Sequence, residues 1–515
     1  MDALDREACY RALQTRDARF DGRFFTAVKT TGIYCRPICP ARPPKLENCS
    51  FLPTAAACEA AGYRSCLRCR PEASPEHAVW RGASATVTRA LALIADGALD
   101  GEGASAEALA ERLGVGERHL RRLFLKHLGA APQAVAQTRR VAFAKRLIET
   151  SALPLTEVAA ASGFGSVRRF NDAFLKLYGR APSAFRRERA KPAAEDGGGT
   201  VLYLPYRAPY DWPAMLDFLR IRAVDGVEVV EADGWRRSFV HGEAAGSIHV
   251  RHAPERSSLR VSVRTSDPRA LAVAATRVRR LFDLDADVAV ITAHLSRDPL
   301  LAPLIAARPG LRAPGGWEPF ELAVRAVLGQ QVTLAAARTL ACRLVERCGA
   351  PLDPAQTGDV RLVRAFPTPA ALAATDLSEM GMPASRARTL TALAEAARAD
   401  PGLLEPRGDL DAAVARLKTV PGVGEWTAQY VALRALREPD AFPASDVGLL
   451  RAVAPGEPRP TPEALITRAE PWRPWRAYAA QHLWAADPAA AVSPAARPLP
   501  RSRRRPDDPA RPAAA

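Results

Sequence analysis

Two pairs of closely spaced cysteines constrain the start of this chain more than any other feature. Three residues separate Cys35 from Cys39, and two separate Cys66 from Cys69. Seven of the nine cysteines lie within the first 69 residues, which is not the distribution of a scattered core population. Two such pairs can close a tetrahedral four-thiolate zinc site. We therefore expect one zinc ion to organise this segment, and a purely structural zinc ribbon is an open alternative.

The residues around these cysteines are similar to a known methyl-acceptor domain. The segment from FFTAVKTTGIYCRPIC to YRSCLRCRPE resembles the N-terminal domain of the Ada family of bacterial methylation-response proteins. In that family, the first cysteine of the motif binds zinc and accepts a methyl group from a DNA methylphosphotriester. The resemblance implies that Cys35 is the acceptor, with Cys39, Cys66 and Cys69 as the other ligands. A thioether on Cys35 has no evident route back to a thiolate, so the transfer is expected to be stoichiometric.

Methyl transfer would also change the charge of this module. A thiolate that becomes a thioether loses its negative charge, which lowers the repulsion from the DNA backbone. The resemblance therefore implies a promoter-binding switch that is set at Cys35. A repair enzyme whose Cys35 never reacts is the alternative. Cys49 and Cys58 are expected to be small buried residues and not ligands.

Residues 84 to 188 contain two helix–glycine–helix units. Ser105 is placed to cap the first unit, and Gly114 and Gly163 mark the two turns. The tandem, with its ending YGRAPSAFR, resembles the AraC-family regulator domain, whose second helix in each unit enters the DNA major groove. A solvated basic face is the alternative. The candidate DNA-contacting residues are Arg118, Arg121 and Arg122 in the first unit and Arg168, Arg169 and Asn171 in the second.

The next segment changes to alternating patterns. VEVVE, SIHVRH and SLRVSVR predict antiparallel strands, with helical segments around 211–224 and 268–281. From about residue 283 the pattern is helical until 488. We expect a small α+β domain over 201–284 followed by an all-helical domain over 285–488.

The sequence Pro421-Gly422-Val423-Gly424 lies between two helical segments of this last domain, and an isolated acid, Asp446, follows it. Gly422 and Gly424 let the backbone turn tightly and approach a ligand. The amide groups that open the next helix point outward, toward a site that favours phosphate. A G-x-G alone is weak evidence, because glycines also end helices.

Several motifs, dispersed through the C-terminal half of the chain, strengthen the assignment of a function to that half. PYDW, RLFDL, ARPGLR, VRAVLGQQVT, PGVGEWTAQY and PWRAYAAQHLW together resemble the family of 3-methyladenine DNA glycosylase II. That resemblance implies that Asp446 is the catalytic carboxylate, facing C1′ of a nucleotide turned out of the duplex. A helix cap is the alternative for this residue. A glycosylase half that binds lesions without cleaving is the alternative function, within a methylation-responsive regulator.

The same resemblance implies roles for five further residues. Trp426, Tyr430 and Trp484 would form the base pocket, where aromatic rings favour a cationic base by about 0.5–2 kcal/mol. Core packing is the alternative for Trp426. Gln330 and Gln331 would lie on the loop that enters the duplex, although the family usually has an apolar residue where Gln331 stands. Trp426 occupies the position of the lysine found in strand-cutting relatives, which implies a monofunctional glycosylase.

Charge and composition limit the kinds of partner that the chain is expected to bind. The net charge of +16 favours an anionic partner, and nucleic acid before a membrane. No run of 18 apolar residues is present. We expect a cytoplasmic monomer that binds double-stranded DNA and, by resemblance to Ada-type activators, RNA polymerase.

The sequence therefore predicts a multidomain protein: a small zinc-bound α+β module, an all-α tandem helix-turn-helix, a small α+β domain and an all-α helix-hairpin-helix domain. The predicted segments are a zinc methyl-acceptor domain over 1–78, a DNA-binding domain over 84–188, a linker over 189–200, an α+β domain over 201–284, a glycosylase domain over 285–488 and a disordered basic tail over 489–515.

Overall fold

The computed structural model describes residues 6–16, 20–69, 71, 85–101, 104–187, 199–405, 410–454 and 458–487. The predicted linker lies outside these residues except for its last two positions, and the predicted tail lies wholly outside them. Among the described residues, no helix is long and apolar enough to cross a membrane.

The first module is a four-stranded sheet in the order β3-β1-β2-β4. Its elements are α1 (Arg6–Thr15), β1 (Phe25–Val28), β2 (Ile33–Cys35), β3 (Cys49–Leu52), α2 (Ala55–Ala60) and β4 (Arg64–Ser65). Strands β2 and β4 are parallel, and Tyr34 pairs with Ser65. Parallel strands end on the same side of a sheet. Cys35 and Cys66, each next in the chain after that pair, therefore meet there.

The second module is entirely helical. Its elements are α3 (Ala85–Ala95), α4 (Ala106–Arg112), α5 (Glu117–Leu128), α6 (Pro132–Thr150), α7 (Leu155–Ala161), α8 (Val167–Tyr178) and α9 (Pro182–Arg187). Ser105 and Ser166 cap α4 and α8 by accepting backbone hydrogen bonds. Gly114 and Gly163 have φ of +68° and +79°, conformations that favour glycine. The predicted cap at Ser105 and both predicted turns are therefore present.

The two helix-turn-helix units repeat along the chain. Helices α5 and α8 begin at 117 and 167 and end at 128 and 178, which is an offset of 50 residues at both ends. Each ends at a left-handed glycine, Gly129 and Gly179. Helix α6 joins the two units, and it also contacts α2 of the first module.

The third part is an antiparallel sheet of five strands in the order β5-β9-β8-β7-β6. Its elements are β5 (Thr200–Pro205), α10 (Trp212–Arg220), β6 (Glu228–Val230), β7 (Gly234–His241), β8 (Ala244–Ala253), β9 (Ser258–Thr265) and α11 (Ala270–Leu281). The three predicted strands and both predicted helices are present. The sequence analysis did not identify β5 and β7. Thr200, the last residue of the predicted linker, already belongs to β5.

The last part is helical, as the sequence predicts. Its helices are α12 (Val288–Leu295), α13 (Leu301–Ala307), α14 (Pro319–Leu328), α15 (Leu334–Cys348), α16 (Pro354–Thr357), α17 (Pro369–Ala373), α18 (Ala384–Ala399), α19 (Leu410–Leu417), α20 (Glu425–Arg434), α21 (Val447–Ala452), α22 (Pro462–Ala469) and α23 (Arg476–Ala486). One extensive hydrophobic core connects most of them, from Val288 to Leu483.

A buried ion network joins the five-stranded sheet to this helical part. Arg237 on β7 donates to Glu228 at 2.8 Å and to Glu321 on α14 at 3.1 Å. Arg325, one turn along α14, donates to Glu228 at 2.8 Å and to Glu321 at 2.6 Å. Burial alone would raise the pKa of Glu321, but the charges of Arg237 and Arg325 hold that pKa below its usual value. Two carboxylates and two guanidinium groups thus neutralise one another away from water.

A second ionic contact joins the first module to the helical part. Asp287 caps α12, because its Oδ1 accepts a hydrogen bond from the Val290 N–H at 3.3 Å. Its Oδ2 accepts from Arg23 at 2.9 Å and from Arg207 at 2.8 Å. Arg23 precedes β1 and Arg207 follows β5. Three parts of the chain therefore meet at one carboxylate.

The buried network predicts a large loss of stability when one carboxylate is neutralised. We expect Glu321→Gln to lower the free energy of unfolding by about 3–5 kcal/mol, because buried guanidinium groups lose a charged partner. The measurement is guanidinium-induced unfolding of the purified chain. Glu379→Gln is the matched control: Glu379 is 81% exposed and pairs with Arg347, itself 40% exposed, so its loss should be about 1 kcal/mol or less. Equal losses in the two variants would contradict the role of the network.

Candidate functional site

The four predicted ligand cysteines form one cluster. Their sulfur atoms all lie within 4.8 Å of one another. Zn–S bonds of about 2.3 Å place the sulfurs of a tetrahedral site about 3.8 Å apart, so the spacing fits a zinc ion. Cys39, Cys66 and Cys69 are buried, whereas Cys35 is partly exposed. Cys49 and Cys58 are buried outside the cluster, as expected.

The electrostatics of the cluster also fit a dication. Four thiolates this close repel one another unless a cation lies between them. A zinc ion supplies that cation and keeps the sulfurs deprotonated at neutral pH.

Arg36 links the cluster to the rest of the module. Its backbone N–H donates to Cys69 Sγ at 3.3 Å, and its guanidinium donates to the Cys69 carbonyl at 3.2 Å. The same guanidinium forms a two-pronged pair with Asp21, with one bond of 2.8 Å. Such a pair fixes both position and orientation. Arg36 therefore holds the turn that carries Cys35 against the turn that carries Cys69.

A second site lies around the hairpin between α19 and α20. Gly422 has φ of +84°, and a Cβ there would lie 1.9 Å from the Thr389 hydroxyl oxygen, so only glycine fits. A Cβ on Gly424 would meet nothing within 4 Å, and Gly424 precedes the first residue of α20. The two glycines differ in kind: Gly422 is required by packing, and Gly424 leaves an open approach to the start of α20.

Asp446 is fixed by three donors. The indole N–H of Trp426 donates to its Oδ2 at 2.9 Å, and that of Trp484 donates to its Oδ1 at 2.9 Å. Oδ1 also accepts from the Leu449 N–H at 3.1 Å, which caps α21. The helix-cap interpretation is thus correct, but it does not exclude the other one. The carboxylate is partly exposed and held in a single orientation by two aromatic side chains.

The aromatic residues named from the sequence lie together beside Asp446. The rings of Trp426 and Tyr430 stack with centroids 5.3 Å apart, and Trp484 meets Tyr430 edge-on at 6.2 Å. All three are partly exposed. Three partly exposed aromatic rings therefore lie next to one partly exposed carboxylate. Such a group of side chains suits a flat, cationic aromatic ligand.

The sequence analysis missed the side chains that lie beside these rings. The Arg222 guanidinium, just beyond α10, lies 3.9 Å from the centre of the Phe218 ring, and the Arg434 guanidinium lies 4.9 Å from that ring and 5.7 Å from the Tyr430 ring. Arg434 lies 5.1 Å from the Trp484 ring. Burial alone would raise the pKa of the Tyr430 phenol, yet Arg434 and Arg222 hold that pKa below its usual value. The PYDW motif ahead of α10 was the available signal, but nothing in it showed that α10 reaches the other domain.

The loop between α14 and α15 reaches the hairpin. The Gln330 side-chain amide donates to the Gly422 carbonyl at 3.0 Å and to the Thr427 hydroxyl at 2.9 Å. Gln331 is exposed and has φ of +55°, a strained conformation for a residue other than glycine. Val332 and Leu334 beside it are 37% and 42% exposed. Gln330 thus stabilises the hairpin through hydrogen bonds. Gln331 is exposed beside two exposed apolar side chains.

The predicted DNA-contacting residues of the helix-turn-helix units all lie on exposed helix faces. They are Arg118, Arg121 and Arg122 on α5, and Arg168, Arg169 and Asn171 on α8. The opposite faces of these helices are buried through Leu120, Phe124, Phe170 and Phe174. Both helices therefore present a polar, largely basic surface to a ligand.

Comparisons with known proteins agree with this division of the chain. Four family models match it: the metal-binding domain of Ada over residues 8–72, a helix-turn-helix domain over 109–188, the AlkA N-terminal domain over 201–318, and the HhH-GPD superfamily of base excision DNA repair proteins over 324–476.

Three relatives illustrate the match. A probable bifunctional transcriptional activator/DNA repair enzyme AlkA of Mycobacterium tuberculosis is 44% identical over 93% of this chain and 96% of its own length. DNA-3-methyladenine glycosylase 2 of Escherichia coli is 38% identical over 55% of this chain and 95% of its own. The bifunctional transcriptional activator/DNA repair enzyme Ada of Escherichia coli is 37% identical over 28% of this chain and 38% of its own.

The geometry of the four-cysteine cluster predicts which cysteines are needed for zinc binding. We expect Cys66→Ala to lower the zinc content of the purified chain well below one ion, because three thiolates leave the tetrahedral site open. Elemental analysis by mass spectrometry provides the measurement. Cys58→Ala is the control, since Cys58 is fully buried but lies outside the cluster. Full zinc occupancy in Cys66→Ala would show that the cluster is not the site.

Proposed function

Because the chain belongs to the family of bifunctional transcriptional activator/DNA repair enzymes, we propose that Cys35 accepts methyl groups from DNA and that Asp446 serves base excision. This family assignment rests on the relative that is 44% identical over 93% of the chain. The protein acts in the repair of alkylated DNA, as a DNA glycosylase joined to an Ada-type zinc domain with a helix-turn-helix regulator. The observation that carries the residue assignments is the Asp446 carboxylate, which two indole N–H groups fix beside a group of partly exposed aromatic rings.

The proposed methyl transfer is a displacement at carbon. The sulfur of Cys35 forms a bond to the methyl carbon, while the bond from that carbon to the phosphotriester oxygen breaks. The electron pair stays on oxygen and restores the phosphodiester anion. Cys35 is suited to this role because it alone of the four cysteines is more than slightly exposed. A methylated phosphate carries no charge, so an anionic sulfur can approach it.

The transfer supports a role in promoter activation. The loss of one negative charge on sulfur strengthens the attraction of a basic module for DNA. The exposed residues of α5 and α8 would then contact phosphates and base edges of two successive major-groove segments. We further propose that the chain acts as a cytoplasmic monomer and engages RNA polymerase at such promoters. We propose that the chain is divided for these roles at the boundaries given by the sequence analysis, with Thr200 belonging to β5 and not to the linker.

Methyl transfer to Cys35 predicts a defined mass change. After incubation with DNA that contains methylphosphotriesters, we expect the chain to gain the mass of one CH₂ group, located on Cys35 by peptide mass spectrometry. The modified protein should also bind promoter DNA more tightly than the unmodified one. Cys49→Ala should behave like the parent, because Cys49 lies outside the cluster. An unmodified Cys35 would leave a zinc-structured repair enzyme without the switch.

Base excision begins when the pocket receives a base turned out of the duplex. Trp426, Tyr430 and Trp484 would pack against that base, and Asp446 would face the sugar. As the bond from C1′ to the base nitrogen breaks, the sugar becomes positively charged, and the carboxylate stabilises it and orients the attacking water. An N-alkylated purine is already cationic, so it leaves as a neutral molecule without a general acid.

In this proposal, the hairpin and the loop after α14 bind the DNA. The start of α20 beside Gly424 is open, and backbone amides at a helix start bind phosphate. Gln331 would enter the space left by the base, together with its apolar neighbours. Trp426 stands where a strand-cutting enzyme has its lysine. We therefore propose monofunctional hydrolysis, which leaves an abasic site and an uncut strand.

Asp446→Asn tests the excision step. The substitution retains an oxygen that can cap α21, so the fold should persist while the negative charge is lost. We expect the single-turnover release of methylated purines from duplex DNA to fall by about 100-fold or more. Glu379→Gln, a change in the same domain that affects an exposed pair with Arg347, should leave the rate unchanged.

The outcomes separate the two candidate functions of this half. Release by the parent chain and its loss in Asp446→Asn establish the glycosylase. Tight binding of alkylated DNA without release by the parent would instead establish a methylation-responsive regulator with an inactive, lesion-binding half.

A further inference from the structure

The exposed face of α21 begins beside the Asp446 carboxylate. Val447 and Arg451 lie four residues apart on this helix and share one face, to which Gly448 also belongs. Val447 is 49% exposed, and the Arg451 side chain is 39% exposed. The residues of α21 that are buried instead are Leu449, Leu450 and Ala452. A ligand at Asp446 that continues along α21 would therefore meet the Arg451 guanidinium.

Gly448 lies where three side chains of this site converge. A Cβ there would lie 3.0 Å from Asp446 Oδ1, 3.3 Å from Asp487 Oδ2 and 3.3 Å from Trp484 Cδ1. These distances are shorter than an ordinary contact between non-bonded atoms, so a side chain at this position would push the three groups apart. The glycine thus allows a second carboxylate, that of Asp487, to lie close to the carboxylate of Asp446.

Asp487 holds the Arg451 guanidinium in one orientation. Arg451 Nε donates to Asp487 Oδ1 at 3.3 Å, and its Nη2 donates to Oδ2 at 2.6 Å. Asp487 is 6% exposed, and a two-pronged pair of this kind fixes both position and orientation. A guanidinium has five N–H donors. The pair uses the edge formed by Nε and Nη2, so the N–H groups of Nη1 remain for a further acceptor.

Electrostatics explains why a cation is useful at this place. Each phosphate of a DNA strand carries a negative charge. When a nucleotide turns out so that its C1′ faces Asp446, its phosphates approach a carboxylate and are repelled. The hydrogen bond to Asp487 raises the pKa of the Arg451 guanidinium, and the charge of Asp446 raises it further. The guanidinium is therefore close enough to Asp446 to counteract that repulsion.

We propose that Arg451 binds the DNA phosphate beside the excised nucleotide, with Asp487 orienting the guanidinium, so that the sugar is held against Asp446. This inference rests on the proposed glycosylase function. A planar guanidinium suits the role, because one edge binds the carboxylate while its remaining N–H groups bind a phosphate oxygen. Gly448 has no side chain that would keep the sugar-phosphate backbone away from α21. Arg451 is thus a DNA-binding residue, and Asp487 is a positioning residue.

A purely structural ion pair is the alternative. The same contact joins α21 to Asp487, which ends α23, and its loss could simply lower the stability of the chain. The two interpretations differ in their electrostatic consequences. Arg451→Gln removes a positive charge from a DNA contact, whereas Asp487→Asn removes a negative charge that by itself repels DNA.

The first test measures release of 7-methylguanine from duplex DNA under single-turnover conditions, at a series of protein and salt concentrations. For Arg451→Gln, we expect the half-saturating protein concentration to rise by about tenfold, the loss of a hydrogen bond to a charged group. The slope of log affinity against log salt concentration should fall in magnitude by about one, because one phosphate contact is lost.

Arg347→Gln is the matched control for the loss of one positive charge. Arg347 is 40% exposed and pairs with Glu379. It lies near the end of α15, about 20 Å along that helix from Leu334. This variant should keep both the affinity and the salt slope of the parent chain.

The second test uses Asp487→Asn at saturating protein. Electrostatics alone predicts tighter binding of DNA and unchanged release of 7-methylguanine, because a negative charge is removed. If Asp487 orients Arg451, release should instead fall by about tenfold, since a misplaced sugar no longer faces Asp446 correctly. A fall at saturating protein cannot come from weaker binding.

An unchanged salt slope in Arg451→Gln, or unchanged release by Asp487→Asn at saturating protein, would overturn the proposal. If Arg451→Gln does not fold, Arg451→Lys takes its place, because it keeps the charge but cannot form the two-pronged pair. It should keep the salt slope of the parent and lose about tenfold in release at saturating protein. Release equal to that of the parent would again contradict the proposal.

The parent chain separates this inference from the function on which it rests. If the parent releases no 7-methylguanine, the glycosylase function itself fails. If the parent releases it and the variants at Arg451 and Asp487 behave like Arg347→Gln, the glycosylase function stands and the roles of these two residues are wrong.

Discussion

Paired charges that are shielded from water hold the two domains of the glycosylase half together. A buried carboxylate or guanidinium is tolerated only when an opposite charge and hydrogen bonds replace its hydration. Arg237, Glu228, Glu321 and Arg325 meet this condition by pairing with one another across the junction. The aromatic group beside Asp446 lies near this junction, since the Arg434 guanidinium of α20 lies 4.9 Å from the Phe218 ring of α10. Arg325 takes part in both, because it also binds the carbonyl of Arg222.

Local signals in the sequence predicted much of the fold. The spacing of the cysteine pairs, the cap at Ser105 and the glycine turns depend on neighbouring residues, so they can be recognised along the chain. Strand β7 was missed because its sequence GWRRSFVH does not look apolar, although Arg237 within it is 2% exposed. Its partners lie nine and 84 residues away. No local pattern indicates such a pair.

The candidate site beside Asp446 could likewise be predicted only in part from local sequence. Resemblance to a family named Trp426, Tyr430, Trp484 and Asp446, and the structure brings these together. Their mutual geometry was not predictable, because the two indole N–H groups reach Asp446 from helices 20 and 38 residues away. Phe218 and Arg222 were missed for the same reason. Gln330 is expected to contact DNA, and no pattern in the sequence indicated that its side-chain amide also donates to the hairpin between α19 and α20.

The carboxylate of Asp287 has a consequence for how the two halves meet DNA. Because it accepts hydrogen bonds from both Arg23 and Arg207, the zinc module contacts the glycosylase half directly as well as through the chain. With the roles proposed above, two DNA-binding units joined by such a contact would engage a duplex as one bivalent body. The second unit would bind at an effective concentration set by the geometry of the contact. Damage to a phosphate and damage to a base within the same stretch of duplex would then fall within reach of a single encounter.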